Sequence, residues 1–114
     1  MPKTSDYLDY ILEDRFSHIP GIRHRAMFGG FGLYQYDMFF AIVIDDELYF
    51  KVGDGNRADY ESAESEPFVY EGKNKPVTMS YWKVPEEVLE DPDEIRSWIE
   101  KAVDESRLSK KPKK

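Results

Sequence analysis

The sequence predicts an α+β domain built on a mainly antiparallel sheet, and three observations carry that expectation. Residues 25–52 (RAMFGGFGLYQYDMFFAIVIDDELYFKV) place three glycines in four positions, then a continuous apolar run, then an alternating run ending at a lysine. Residues 68–84 read as a second hairpin, whose later arm alternates cleanly. Residues 91–103 then follow an amphipathic helix template without a miss.

The first helix is expected over residues 5–17, with Ser5 as N-cap and Asp6 in the first turn, where the helix dipole favours an anion. Leu8, Ile11, Leu12 and Phe16 give it one apolar stripe, and Pro20-Gly21 stops it. His18, just before that break, suits a contact with a helix end. Residues 22–28 read as the first strand. Gly29, Gly30 and Gly32 are expected to bend it, since glycine inside a strand pattern marks a bulge or sharp bend, and the strand resumes over residues 31–35. A turn at Tyr36-Asp37 leads into residues 38–44, too short for an amphipathic helix and expected to form a central strand covered on both faces. Asp45-Asp46 makes the next turn. Leu48, Phe50 and Val52 then point at a core, with Tyr49 and Lys51 outward. Residues 54–63 form a weak helix with Asp54 as a cap. The second hairpin sets Val77, Met79 and Tyr81 against Thr78, Ser80 and Trp82, and residues 85–89 form a short helical turn. In the last helix Asp91 is the cap, Pro92 the first helical residue and Glu94 the capping-box acid. Ile95, Trp98, Ile99, Ala102 and Val103 close one face of the sheet.

The totals bound the class. A chain of 114 residues fits one domain, and burying roughly two-thirds of its unfolded surface lets it fold without a metal or disulfide staple. With no cysteine, disulfide scaffolds, thiol catalysis and cysteine-bound zinc are excluded. The N-terminal residues lack the apolar core of a secretory signal. The longest apolar run, residues 38–44, falls far short of the ~20 residues a membrane helix needs, so a soluble, cytoplasmic protein is expected. Net charge is −7. Setting aside Lys110, Lys111, Lys113 and Lys114, residues 1–108 hold 12 basic and 23 acidic groups, a net of −11. A body that acidic repels phosphate backbones, so direct nucleic-acid binding is disfavoured. Residues 109–114 (SKKPKK) read as a basic, disordered tail after a single domain, 1–108.

No catalytic constellation emerges. Gly30-x-Gly32 is followed by Gln35 and more strand, not by a phosphate-binding helix. Gly30, Phe31, Gly32 and Tyr36 match part of an RNA-recognition signature, but its opening basic residue is missing and the element order differs. His18 and His24 are too few for a histidine metal cage, and the acidic clusters lack calcium-loop rhythm. Ser80 has no nucleophile elbow around it. Aromatics at 15% exceed what one small core needs, so some of Tyr34, Tyr36, Phe39, Tyr49, Tyr70, Tyr81 and Trp82 are expected to stay partly exposed on an uncovered sheet face, and exposed apolar patches mark partner surfaces.

At Arg25-Ala26-Met27-Phe28-Gly29-Gly30-Phe31-Gly32-Leu33, then Leu48-Tyr49-Phe50-Lys51, Ser80-Tyr81-Trp82, Val84-Pro85 and Asp91-Pro92, the sequence resembles the N-terminal domain of the TfoX/Sxy family of bacterial competence regulators. The resemblance spans about residues 15–105. It implies an α-β(3)-α-β(2)-α two-layer sandwich like that of secretion chaperones and no known enzymatic activity. It also implies a role like that of the larger members, which act on DNA-uptake genes with the cyclic-AMP receptor protein and carry a second helical domain. The expectation is a stand-alone, non-enzymatic regulatory or adaptor domain acting through protein–protein contacts, with an unidentified protein partner or a homodimer. No cofactor, metal or catalytic residue is expected. The expected partner surface is Arg25, Phe28, Tyr49, Lys51, Tyr81 and Trp82 around the glycine bend. Two alternatives remain open: a nucleic-acid-binding accessory using the strand aromatics and the tail, and a small-ligand-binding protein or enzyme.

Overall fold

The computed structural model describes residues 6–27, 29–72 and 74–109. A short helix α1 (Asp6–Tyr10) runs directly into one π-helical turn, Ile11–Arg15. Four strands follow: β1 (Ile22–Met27), β2 (Gly30–Gln35), β3 (Met38–Ile44) and β4 (Glu47–Lys51). Then come α2 (Arg57–Ser62), β5 (Pro67–Glu71), β6 (Pro76–Lys83), α3 (Glu86–Leu89) and α4 (Pro92–Ser109). The six strands form one antiparallel sheet in the order β1-β2-β3-β4-β6-β5. The expected α+β architecture with an antiparallel sheet is what forms. No helix among the described residues is long and apolar enough to cross a membrane.

The strand block before α2 holds four strands where three were expected, because the glycine segment reverses the chain instead of bending it. Met27 pairs with Gly30 and Arg25 with Gly32, so β1 and β2 form a tight hairpin. Gly29 sits in that turn at φ 80° with open space around it, a conformation open to glycine at no steric cost. Gly30 is glycine for another reason: a Cβ there would collide with the Val43 carbonyl oxygen of β3. The next two connections are also two-residue turns, Tyr36-Asp37 and Asp45-Asp46, as expected. Asp45 and Asp46 both take left-handed φ values, 54° and 61°, which a type I′ hairpin turn requires at both central positions.

In β3 the register with β2 shifts between Leu33 and Tyr34, so that Leu33 faces Ala41 and Tyr34 faces Phe39. Phe40 is the extra residue of a bulge, and its ring turns to the helices, 6.5 Å from Phe16 and 5.5 Å from Phe50. The helix side of the sheet buries Leu33, Phe40, Val43, Leu48 and Phe50 under Leu8, Ile11 and Phe16 at one end and under α4 along its length. Ile95, Trp98, Ile99, Ala102 and Val103 are the buried apolar residues of α4, as their spacing predicts, and Ser106 is buried one turn further on. Asp91 caps that helix, its Oδ1 accepting from Asp93 N–H at 3.0 Å and Glu94 N–H at 3.2 Å. The Glu94 carboxylate does not complete a capping box; it accepts from the Trp98 indole N–H at 3.1 Å. His18 Nε2 donates to the Pro92 carbonyl at 3.0 Å, pinning the first connection to the start of α4.

Helix α2 starts at Arg57, later than expected, and Asp54 does not cap it. Asn56 is buried instead, its Oδ1 accepting from Gly53 N–H at 2.8 Å and its Nδ2 donating to the Lys51 carbonyl at 3.0 Å. Gly55 N–H donates to Glu105 of α4 at 3.1 Å, and a Cβ at Gly53 or Gly55 would strike that carboxylate. The loop after β4 is thereby latched to the last helix. The Ser5 cap and the tail at 110–114 lie outside the described residues; Ser109, placed in that tail by sequence, is the last residue of α4.

The two hairpin glycines separate by substitution. Gly30→Ala should lower stability by more than about 2 kcal/mol, the range of an overpacked core position. Gly29→Asn, with space and a side chain that tolerates left-handed backbone, should cost under about 1 kcal/mol. Urea midpoints at unchanged slope read both, and equal losses would contradict the hairpin.

Candidate functional site

The helices cover one side of the sheet only. Strand register defines what the other side carries. Arg25, Gly32, Ile42 and Tyr49 follow one another across β1 to β4, with Lys83 next on β6. Arg23, Tyr34 and Phe39 form the neighbouring row, and Lys51 faces Tyr81. Rings pack along this face, Tyr34 on Phe39 at 5.2 Å, Phe39 on Tyr81 at 5.7 Å and Tyr49 on Phe68 at 5.1 Å. Gly32 makes room for them, since a Cβ there would overlap Met27 and Phe39. Between β3 and the β5–β6 hairpin lies an open groove of about 560 Å³, lined by Phe39, Ile42, Ile44, Phe68, Tyr70, Met79 and Tyr81. Every lining residue belongs to a strand; no described helix reaches it. Tyr70 is 54% exposed and Val77, beside it, 44%.

Of the six residues expected as a partner surface, Arg25, Tyr49, Lys51 and Tyr81 lie on this open face. Trp82 does not. It pairs with Phe50 on the helix side and packs 6.2 Å from Tyr60, whose ring also lies 4.5 Å from Trp98. Adjacent residues of a strand point to opposite faces, so Tyr81 and Trp82 cannot share one patch. Phe28 lies outside the described residues. Phe39 and Tyr70, like Tyr81, are among the aromatics expected on an uncovered sheet face; sequence reasoning missed Ile42, Ile44, Phe68 and Met79 as lining residues. The alternation Val77-Met79-Tyr81 held part of the signal, and the pairing of β5 beside β6 supplies the rest. The expectation that β3 is covered on both faces holds for the helix side alone; on the open side only neighbouring side chains of the sheet shelter Ile42.

Burial governs the chemistry of this face. The Tyr81 phenol is pushed up to about 12, first by burial and then by the neighbouring Tyr34. Tyr49 is raised as well, by burial and then Glu47. Lys51 is lowered by burial, against the opposing pull of Glu105. Its Nζ donates to Ser80 Oγ at 2.8 Å and stands 5.4 Å from the centre of the Tyr81 ring. Arg23 and Asp37 are 3.8 Å apart and well exposed, an arrangement of little energetic worth.

The other places that invite chemistry are not assembled as reacting groups. Gly29 and Gly30 lie between two strands, with no helix N-terminus aimed at them. Among the described residues no group of three or more His, Asp or Glu could hold a metal ion. His24 rests against Phe31 on the β1 edge. A separate cleft of about 500 Å³ opens between Tyr7, Leu48, Glu66, Lys83 and Glu86. Burial and then Glu47 keep the Tyr7 phenol protonated, and Lys83 pairs with Glu47 at 3.2 Å.

These features define a small α+β domain whose antiparallel sheet is roofed on one side and apolar on the other. A family model described as the TfoX N-terminal domain matches residues 14–106, and the chain belongs to that family. It is also 33% identical over 107 residues to the DNA transformation protein TfoX1 of Aliivibrio fischeri, a match covering 90% of this chain. The chain spans about half the length of that curated relative, 51%.

The Tyr81 environment gives a pH signature. Its folded-state value lies above the unfolded 10.0, so its contribution to stability is complete below about pH 10 and is lost as pH rises towards 12. Tyr81→Phe should flatten the alkaline fall of the urea midpoint over that window. An unchanged alkaline profile would contradict the burial of the phenol.

Proposed function

We propose that this chain is a non-enzymatic regulatory domain that acts on competence-type gene expression by docking its open sheet face against a protein partner. The observation that carries this reading is the groove lined by seven apolar strand residues on a face that no described helix covers. Soluble domains rarely leave contiguous apolar surface of this kind unused, and tyrosine-rich surfaces supply the anchors of protein interfaces. Membership in the TfoX N-terminal domain family and likeness to a DNA transformation protein support the regulatory setting.

The test is genetic and structural together. In the source organism lacking its native copy, the full chain carrying Tyr70→Asp and Met79→Asp should alter DNA-uptake transcripts as fully as deletion does. Glu100→Lys with Asp104→Lys, on the exposed side of α4, should leave them at the parental level. Far-ultraviolet circular dichroism confirms that both variants are folded. Parental transcript levels in the folded sheet-face variant would overturn the reading.

A further inference from the structure

Charge is divided unevenly between the helices and the strands of this molecule. The described helical segments hold 13 acidic and 5 basic residues, a net of −8, whereas the six strands hold 4 basic and 2 acidic, a net of +2. Two of the strand cations are engaged, Lys83 with Glu47 at 3.2 Å and Arg23 near Asp37 at 3.8 Å. The other two, Arg25 and Lys51, have no carboxylate within salt-bridge distance among the described residues. Lys51 is half-buried, and its ammonium meets one hydroxyl and one ring face. Glu105 pulls on it from beyond salt-bridge distance without offsetting its burial, and a partly desolvated cation so weakly compensated is unfavourable. The ring that Lys51 overhangs, Tyr81, is itself part of the groove wall.

We infer that the open face takes an acidic apolar segment of a partner protein, its anchors seated in the groove and its carboxylates paired with Lys51 and Arg25. This rests on reading the face as a partner surface, and it adds the chemistry of the partner. Charge complementarity selects this occupant over a second copy. Face-to-face pairing of two copies would set net-positive strands against net-positive strands. Apolar anchors fill the groove and supply the affinity, while the carboxylates set register and exclude basic competitors.

The test uses the full isotope-labelled chain and two short synthetic amphipathic peptides with identical leucine and phenylalanine anchors. One carries glutamates between the anchors and the other lysines. The glutamate peptide should bind at least about tenfold tighter, moving the resonances of Phe39, Lys51, Met79 and Tyr81. Lys51→Glu with Arg25→Glu should reverse that preference. The net charge of −7 taken alone favours the lysine peptide, so the two expectations oppose each other. Equal affinities, tighter binding of the lysine peptide, or shifts confined to the helical layer would overturn the inference. So would a chain that sediments as a dimer through this face and admits neither peptide. If the double charge reversal leaves DNA-uptake transcripts at the parental level while Tyr70→Asp with Met79→Asp abolishes regulation, the partner class is wrong and the docking face stands.

Discussion

Helix α4 lays Ile95, Trp98, Ile99, Ala102 and Val103 on the sheet, where they meet the side of β3 and β4 that presents Phe40, Val43, Leu48 and Phe50. Each such side chain, fully buried, contributes roughly 1.5–3 kcal/mol, so this seam carries much of the stability of the domain. It also sets a limit. The first helical segment and α4 roof one side of the six-stranded sheet, and the short α2 and α3 add Tyr60, Val88 and Leu89 to the same core. The other side therefore keeps its strand side chains at the surface. The open face is thus the side that the described helices leave uncovered.

That unroofed side is sheltered by its own rings. Tyr34, Phe39 and Tyr81 pack as tilted rings, and Tyr49 meets Phe68 in a T-shaped contact, which withdraws apolar area from water without closing the groove. Lys51 lies where the ring cluster meets the latched loop after β4. Gly53, Gly55 and Glu105 hold that loop to α4, so the end of β4 that carries Lys51 is tied to the helix layer by hydrogen bonds. A groove walled by mutually packed rings beside a tethered cation suits selective recognition, because side chains already packed have less ordering left to lose on binding.

Much of the architecture was legible in the residues. The spacing of α4 and its Asp91-Pro92 start, the Asp45-Asp46 turn and the alternation of β4 and β6 each follow from local rules, and each is realised. What escaped depended on pairing between distant segments. A glycine cluster reads equally as a bend or a reversal until β1 is known to pair with β2, and the bulge at Phe40 exists only relative to Leu33 on the next strand. Which side of β6 faces inward is fixed by the pairing of Trp82 with Phe50, not by the composition of β6. The period of two already forbade grouping Trp82 with Tyr81. The Glu105 latch joins residues 50 positions apart, and nothing in the local sequence announces it.

Hydroxyl-radical footprinting of the dilute, monomeric chain, resolved to single side chains by mass spectrometry, bears most directly on the one-sided sheet. Phe68, Tyr70 and Met79 should be modified far faster than Phe40, Phe50 and Trp98. Protection of Phe68, Tyr70 and Met79 to the level of those buried rings would show the second face covered, and would contradict the structure of the site described above.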